Sequence, residues 1–514
     1  MKNSLGREIP EYIEGYGDVM PYRGVYSGKD IVRVGVNTKR VSNYDTKVLG
    51  SIKKAIIECG IKDGMTISFH HHLRNGDYVL NMVMKEIADL GIKNINIAAS
   101  SIFLIHEPLI KYIKEGVVTG IYTNYMSGPV ADAISNGILK NPVIMQTHGG
   151  RARAIEEGNL HIDVAFIAAP SADSCGNING VCGRAACGSL GYAIPDAMYA
   201  DKVVAVTDNL VPYPACPIEI SQEYVDYVVP VDSIGNPEGI ASGTTEVTKN
   251  PVGLRIAKMT ADFIKYSGIL KDGFSFQTGA GGTSLAVAKY IKEIMEKEKI
   301  VGSFASGGIT GIIVDMFHEG LFKSLFDVQC FDNKAIESYK SDKAHMGMGA
   351  SMYGNPHNKG SVADNLDVMI LGATQIDTDF NVNVTTNSSG IIMGGSGGHS
   401  DTAAGAKLSI VVTQLYKGRL PIVVDKVNTV TTPGDTIDAL VTERGIAINP
   451  KRQDLIERFA SLDTNLPIVT NIEELKNIAE RITGIPEEIE FDDKIVAAVE
   501  YRDKTVIDVV RKPI

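Results

Sequence analysis

The sequence is poor in residues that mark several classes of protein. It has no tryptophan and only six cysteines in 514 residues. That is too few for a disulfide-based secreted scaffold, so we expect free thiols. Cys175, Cys182 and Cys187 lack CxxC spacing, and we predict no metal site on this chain. The sequence also lacks an uninterrupted apolar run of about 18 residues, which argues against a membrane span.

The sequence has fewer basic than acidic residues. The 50 Lys and Arg residues face 61 Asp and Glu residues, and the net charge is -11. This balance disfavours nucleic-acid binding, because phosphate backbones are bound by concentrated Lys and Arg. Backbone N–H groups can still hold an anionic cofactor. The N-terminal MKNSLGREIPEYIEG carries acids and lacks an apolar signal region, so we expect a cytoplasmic protein without membrane contact.

An internal repeat is the strongest feature that is present. DVAFIAAPSADSCGNIN begins at Asp163 and DVMILGATQIDTDFNVN begins at Asp367, with Asp, Asp, Asn and Asn at the same offsets. An earlier pair, IKDGMTISFHHHLRNGD from Ile61 and LKDGFSFQTGAGGTS from Leu270, has a similar spacing. Each segment begins with an apolar run that is typical of a buried strand. The repeat therefore predicts two similar domains.

The repeated unit is a strand, a turn and a helix. Apolar residues recur at helical spacing over 78–90 and 283–297, which predicts two helices. Repetition of this unit indicates an α/β fold with two similar domains, each with a mainly parallel sheet covered by helices. The turn-rich segment 232–250 reads as a linker. We therefore place the first domain at 1–240 and the second at 241–514.

Three glycine-rich stretches follow one another in the second half. They are TGAGGTS at 278–284, SFASGGITG at 303–311 and GGSGGHSDTAAGAK at 394–407, with LDVMILGATQIDTDFNVNV between the last two. This order resembles the CoA-transferase family. GREIPEYIEGYGDVMPYRG near the N-terminus and SFHHHLRNGD at 68–77 resemble its citrate lyase α-subunit branch. The resemblance implies two CoA-transferase-type domains with an active cleft between them.

The loop at 303–311 departs from most of that family. In most members the corresponding loop resembles a Ser-Glu-Asn-Gly motif, and its Glu is the nucleophile. When the shared Gly-Ile is aligned, Ser306, Gly307 and Gly308 stand at the Glu, Asn and Gly positions of that motif. The loss of Glu points to the branch that handles citrate or citramalate. It implies transfer of the acyl carrier thioester from acetyl to citrate, with release of acetate. The route implied is a direct mixed anhydride, without a covalent glutamyl enzyme.

Such a reaction needs positioned donors more than a nucleophile. Glycine lets a backbone approach a ligand closely, although each of these turns can equally be a plain turn. Histidines and arginines would bind the substrate carboxylates, although His70–His72 can instead cap a helix, and His399 and Asp401 can be structural. The predicted catalytic residues are Ser306, Gly307, Gly308, Gly397 and Gly398. The predicted cofactor-binding residues are Gly279, Gly281, Gly282, Gln375 and Asn381. The predicted substrate-binding residues are His70, His71, Arg74 and His148, with His72 and Arg151 as further candidates.

The resemblance also implies partners. They are CoA or a CoA-derived prosthetic group on an acyl carrier subunit, and a citryl-lyase subunit, in an oligomeric assembly.

Two alternative functions stay open. An acetyl-CoA hydrolase or acetate CoA-transferase would need a Glu in the 303–311 loop, which has none. A non-catalytic metabolite-binding regulator would be expected to carry a helix-turn-helix or basic arm, and we find no such pattern.

Overall fold

The computed structural model describes residues 1–25, 32–37, 46–240, 247–279 and 281–514. The strands described are β1 (Tyr12–Ile13), β2 (Gly17–Asp18), β3 (Thr66–Phe69), β4 (Ile95–Ala99), β5 (Val118–Thr123), β6 (Val143–Met145), β7 (Val164–Ala169), β8 (Ser171–Asp173), β9 (Ile178–Asn179), β10 (Lys202–Thr207), β11 (Leu210–Val211), β12 (Tyr227–Pro230), β13 (Phe276–Thr278), β14 (Gly302–Ile309), β15 (Phe322–Cys330), β16 (His345–Gly347), β17 (Val368–Leu371), β18 (Gln375–Asp377), β19 (Val382–Asn383), β20 (Leu408–Val412), β21 (Tyr416–Lys417), β22 (Leu420–Pro421), β23 (Val423–Val424), β24 (Ala439–Thr442), β25 (Gly445–Ile448), β26 (Phe491–Glu500) and β27 (Val506–Pro513).

The helices alternate with these strands. They are α1 (Ile52–Glu58), α2 (Val79–Asp89), α3 (Leu109–Lys114), α4 (Pro129–Ser135), α5 (His148–Glu156), α6 (Ala193–Tyr199), α7 (Pro251–Ser267), α8 (Gly282–Glu298), α9 (Gly311–His318), α10 (Asn333–Ser341), α11 (Ala350–Gly354), α12 (His399–Gly405), α13 (Gln453–Ser461) and α14 (Ile472–Thr483). The helices predicted over 78–90 and 283–297 are present as α2 and α8. No helix within the described ranges is both long and apolar enough to cross a membrane.

Two large sheets form the molecule. The first has nine strands in the order β12-β10-β7-β3-β4-β5-β6-β26-β27, and the second has eight in the order β16-β15-β14-β13-β17-β20-β24-β25. Both are parallel except for the hairpins β26–β27 and β24–β25. The six residues of β7 and the four of β17 are all buried, as expected for strands with both faces covered. The predicted α/β class with mainly parallel sheets is confirmed.

The sequence repeat is also a repeat of structure. The carboxylate that precedes the central strand accepts a backbone hydrogen bond from the neighbouring strand in both halves: Asp163 from Thr66 N at 2.7 Å and Asp367 from Ser275 N at 2.8 Å. In each half the next two short strands form an antiparallel pair, β8 with β9 and β18 with β19. The two halves therefore share their local hydrogen bonds as well as their strand order.

The C-terminal hairpin returns to the first sheet. β26 pairs in parallel with β6, with Ala497 opposite Val143 and Val499 opposite Met145. β26 and β27 lie inside the range 241–514 that we assigned to a second domain, yet they complete the first sheet. The division at residue 240 stays a prediction. Residues 241–246 of the predicted linker lie outside the described residues.

Candidate active site between the two halves

A cavity of about 360 Å³ lies where the two halves meet. The loops that follow β3, β4, β5 and β6 form one wall, and those that follow β13, β14, β15 and β17 form the other. These are the carboxyl ends of parallel strands, where α/β proteins bind ligands. The lining includes His71, Arg74, Phe103, His148, Tyr192, Gln277, Gly279, Gly281, Ser284, Gly308, Phe331, Tyr353, Gly397 and Gly398.

The GGSGG turn of the second half is hydrogen-bonded to the first half. The Gly397 N–H donates to the Asn124 carbonyl at 3.1 Å, and the Gly397 carbonyl accepts from His148 N at 2.8 Å. Gly397 has a φ of +51°, which favours glycine. This turn therefore fixes the two walls of the cavity relative to each other. Gly397 and Gly398, predicted as catalytic, both line the cavity.

Asp401 strengthens the same junction. Its Oδ1 accepts from Thr147 Oγ1 at 2.7 Å, and its Oδ2 accepts from Gly149 N at 2.8 Å. Thr147 is the N-cap of α5, and Thr147 Oγ1 accepts from Gly150 N at 2.7 Å. A carboxylate from the second half thus completes the cap of a first-half helix, and that helix begins at His148.

The 303–311 loop forms another part of the wall. Gly308 lines the cavity, whereas Ser306 and Gly307 do not. The register of β14 with β15 shifts between Gly307 and Gly308, and Gly307 has a φ of +108°. A Cβ at Gly308 would lie 2.2 Å from the Phe331 ring. Ser306 is buried, and its Oγ has no hydrogen-bond partner within the described ranges.

The start of α8 faces the cavity. Gly279, Gly281 and Ser284 line it, and Gly282 is the first residue of the helix. Gly281 is the N-cap and provides no side chain to accept the first backbone N–H groups. Free N–H groups at the positive end of a helix favour an anionic group.

Two cavity histidines are neutral. The rings of His71 and His148 pack against Tyr192, with centroids 4.5 and 4.4 Å away. Burial, followed by the charge of Arg151, lowers the pKa of His148 to about 3. Burial, followed by the neighbouring His148, lowers the pKa of His71 well below its usual range. At neutral pH these side chains are therefore hydrogen-bonding groups without charge.

Arg74 provides positive charge to the cavity. No other Lys or Arg lines it among the described residues. Its guanidinium carbon lies 5.7 Å from the Phe103 ring centroid and 5.0 Å from that of Phe331, one ring from each half. Arg74 Nη1 has no hydrogen-bond partner in the part of the chain that the structure describes. Burial lowers the pKa of this group, but a guanidinium remains charged.

His70 and Arg151 do not reach the cavity. Arg151 donates to both carboxylate oxygens of Asp196, at 2.9 and 3.1 Å, and His70 Nδ1 lies 3.0 Å from the same carboxylate. All three side chains are buried. They form a structural group behind the wall because Asp196 already neutralises the guanidinium. His72 is buried as well and does not line the cavity.

Gln375 and Asn381 also lie outside the cavity. Asn381 Nδ2 donates to Asp377 at 3.2 Å, as Asn177 Nδ2 donates to Asp173 at 2.8 Å in the other half. Gln375 Oε1 accepts from Asn383 Nδ2 at 2.9 Å. Asn381 therefore holds a turn that is repeated in the two halves, and this explains why the asparagine recurs in the sequence, whereas Ser171 stands at the position equivalent to Gln375.

Several residues of the lining were not predicted, and the polar ones among them include Tyr192, Gln277 and Tyr353. Gln277 is a polar residue at the carboxyl end of a buried strand, next to the glycine-rich turn, and this position could have indicated a ligand contact. Tyr192 is the N-cap of α6 and Tyr353 lies in the short helix α11, and neither belongs to a motif. Their contacts come from segments that are distant in the sequence, His71 and His148 for Tyr192 and Gln277 for Tyr353.

The described residues that line the cavity include no Asp, Glu, Cys or Lys. The lining therefore consists of aromatic rings, neutral histidines, hydroxyl and amide groups, glycine backbone and Arg74.

The family model for the citrate lyase alpha subunit matches residues 45–513. The chain belongs to the citrate lyase α-subunit family. The citrate lyase alpha chain of Haemophilus influenzae is 50% identical over 466 residues, which cover 91% of this chain and 93% of that protein. The Escherichia coli citrate lyase alpha chain is 48% identical over 468 residues, covering 91% of each. The resemblance inferred from the glycine-rich motifs is thereby confirmed, including the transferase class of this family.

Solved structures agree with this assignment. A Streptococcus mutans structure described as the alpha subunit of citrate lyase in complex with citrate has a TM-score of 0.94 and 53% sequence identity, with all of both chains covered. A Pseudomonas malonate decarboxylase structure has a TM-score of 0.62 at 15% identity and covers 86% of this chain and 84% of its own. The second likeness supports the CoA-transferase-type fold alone.

Proposed function

We propose that this member of the citrate lyase α-subunit family exchanges acyl groups between a thioester and citrate. An acetyl thioester and citrate enter the cavity, and citryl thioester and acetate leave it. A citrate carboxylate attacks the acetyl carbonyl, expels the thiolate and forms a mixed anhydride. The thiolate then attacks the citryl carbonyl of that anhydride, and acetate departs.

The composition of the cavity wall carries this proposal. A covalent route needs a protein carboxylate beside the thioester, and none of the described lining residues is Asp, Glu or Cys. Ser306 is buried behind the wall. It stands at the position where the CoA-transferase motif places a Glu nucleophile. The incoming citrate carboxylate can take the place of the protein nucleophile, provided that both reactants are held together.

Each part of the wall suits one reactant. Arg74, with an unpartnered Nη1, suits a citrate carboxylate, because charge-assisted hydrogen bonds to carboxylates are strong. Neutral His71 and His148 can donate or accept hydrogen bonds beside it. The N-terminus of α8, with Gly279 and Gly281, suits a phosphate of a CoA-derived arm. The glycine turns at Gly308 and Gly397 let the reacting carbonyl approach the backbone.

We further propose that the thioester is carried by a CoA-derived prosthetic group on an acyl carrier subunit. A citryl-lyase subunit would then cleave the product. The resemblance to citrate lyase supports both partners. The cavity walls supply groups for the acyl exchange and no cluster of carboxylates for a metal, within the residues described.

Product analysis tests this function. The purified chain is mixed with acetyl-CoA and ¹³C-labelled citrate, and then with an acetylated carrier subunit in place of acetyl-CoA. Mass spectrometry should find labelled citryl thioester together with unlabelled acetate in at least one mixture. If neither mixture yields citryl thioester, the chain does not catalyse this exchange, and a binding or regulatory role replaces it.

A further inference from the structure

Two polar side chains lie together between the glycine turns of the cavity. Gln277 lies in β13, Tyr353 lies in α11, and both line the cavity. Gln277 Nε2 donates to the Tyr353 hydroxyl oxygen at 2.9 Å. The two residues are 5% and 3% exposed, so this pair is held inside the protein and not at its surface.

The pair touches both turns that were predicted to be catalytic. A Cβ at Gly398 would lie 2.2 Å from the Tyr353 hydroxyl oxygen, and a Cβ at Gly307 would lie 2.6 Å from Gln277 Nε2. No side chain can replace these glycines without moving the pair. The hydroxyl therefore lies against the backbone of the GGSGG turn, where the thioester is proposed to react.

The Tyr353 proton is free to serve a ligand. The hydroxyl oxygen accepts its hydrogen bond from Gln277, and the described residues offer this hydroxyl no other partner. Burial raises the pKa of Tyr353 above its usual range, so the phenol stays protonated. Gln277 Oε1 has no hydrogen-bond partner within the described ranges. A donor held in this way is strengthened by the hydrogen bond that it accepts.

We propose that Tyr353 is a catalytic hydrogen-bond donor to the oxygen of the reacting carbonyl, and that Gln277 is the residue that positions it. This assignment rests on the acyl exchange proposed above. It adds a side-chain donor at the glycine turns, which let the carbonyl approach the backbone.

The donor acts at each addition step. When the citrate carboxylate attacks, a C–O bond forms and the carbonyl electron pair moves onto oxygen, which accepts the Tyr353 hydrogen bond. The C=O bond then re-forms, and the C–S bond breaks with its pair leaving on the thiolate. The thiolate next forms a C–S bond to the citryl carbonyl, and acetate departs with the pair of the broken C–O bond. Tyr353 keeps its proton throughout.

Tyr353→Phe tests the donor, because it keeps the ring and removes only the hydroxyl. We expect kcat for acyl exchange to fall about 10²–10³-fold, with the KM values for citrate and thioester changed by less than about threefold. Gln277→Leu should lower kcat about tenfold, and the double variant should be no slower than Tyr353→Phe, since Gln277 acts through Tyr353.

Infrared spectroscopy provides a readout that a packing role would not change. The carbonyl stretch of acetyl-CoA labelled with ¹³C at the carbonyl should move to lower frequency when it binds the native chain. In Tyr353→Phe the band of the bound thioester should lie at higher frequency than in the native chain, closer to its position in a solvent without hydrogen-bond donors. If the band lies at the same frequency in Tyr353→Phe and in the native chain, the assignment is overturned, even if the variant is slow.

Tyr16→Phe is the matched control. It removes a hydroxyl that donates to Glu500 Oε1 at 2.8 Å, away from the cavity, and should leave kcat unchanged. If Tyr353→Phe exchanges acyl groups as fast as the native chain, the assignment of Tyr353 is wrong and the proposed function stands. If the native chain itself shows no exchange with CoA or carrier thioester, the proposed function fails first, and the assignment fails with it.

Discussion

A single guanidinium carries the positive charge of the cavity wall in the described part of the chain. Arg74 is half-buried between Phe103 and Phe331, and its Nη1 has no hydrogen-bond partner among the described residues. The aromatic rings compensate part of the desolvation of the cation, and a bound carboxylate would compensate more. This arrangement makes Arg74 the residue on which citrate affinity should depend most strongly.

Arg74→Gln should raise the KM for citrate about 10–100-fold, because hydrogen bonds to charged groups contribute about 1.5–3 kcal/mol. The KM for the acetyl thioester should change much less. Steady-state kinetics with each substrate varied in turn measures the difference. Arg184→Gln is the control: Arg184 is exposed and pairs with Asp208 away from the cavity, so neither KM should change. An unchanged citrate KM in Arg74→Gln would show that citrate binds elsewhere.

His148 should stay neutral over the physiological range. Burial, with help from the Arg151 charge, lowers its pKa to about 3, so the folded protein does not protonate it where an unfolded histidine would be charged. In a chain labelled with ¹³C at histidine Cε1, the His148 resonance should not shift between about pH 8 and about pH 5. His148→Gln identifies the signal, and the same titration in urea should show ordinary behaviour. A shift near neutral pH would contradict the neutral cavity.

Some of the residues predicted for the site line the cavity and others do not, and the difference has a physical reason. Most of the residues predicted at strand ends and glycine turns come together in one cavity. His71, Arg74, His148, Gly279, Gly281, Gly308, Gly397 and Gly398 line it, whereas Gly282 and Gly307 do not. Asn381 was predicted to bind the cofactor, yet it holds a turn equivalent to the one that Asn177 holds in the first half. Tyr353 has no local signal, because its partners come from distant segments. Repetition therefore marks shared turns as readily as it marks shared sites.

Among the elements, α5 links catalysis to the junction of the halves. Its N-cap Thr147 accepts from Gly150 N and donates to Asp401 of the second half. The next residue, His148, lines the cavity. Any change that loosens this cap should therefore alter stability and activity together.

Thr147→Val removes both hydrogen bonds and keeps the side-chain shape. We expect the free energy of unfolding to fall by about 2–4 kcal/mol, from the lost helix cap together with the lost hydrogen bond to the buried carboxylate of Asp401, whose Oδ1 also lies 3.6 Å from Arg502 Nε. The midpoint of urea unfolding should fall, and so should kcat. Ser51→Ala is the matched control, since it removes an exposed N-cap hydrogen bond that Ser51 Oγ accepts from Lys54 N at 3.1 Å in α1. Its cost should stay below about 1 kcal/mol. Equal midpoints for the two variants would contradict the role given to the junction.

The sequence predicts individual helices and strands well. Helices α2 and α8 follow their apolar spacing, and β7 and β17 follow their continuous apolar runs. Periodicity is a local property, so these elements can be read locally. The partner of a strand is not a local property, and no pattern in β26 indicated that it pairs with β6.

The whole molecule depends on that returning hairpin. β26 covers the edge of β6, and Ala497 and Ala498 are fully buried in the contact. Removal of residues 491–514 should expose the β6 edge and apolar core, and an uncovered sheet edge promotes aggregation. We expect the truncated chain to aggregate and lose exchange activity. Removal of exposed Ile514 alone is the control and should be tolerated. A soluble, active truncated chain would contradict this dependence.

The cavity exists only in the whole molecule, since each half supplies one wall. The central claim is that citrate attacks the thioester directly across this cavity, without a covalent enzyme intermediate. A single-turnover reaction with citrate labelled with ¹⁸O in its carboxylates tests that claim. On the direct route, the attacking citrate oxygen stays on the acetyl group, and the acetate released in the first turnover carries one ¹⁸O atom. Unlabelled acetate in the first turnover, with ¹⁸O recovered in an enzyme side chain, would contradict the account.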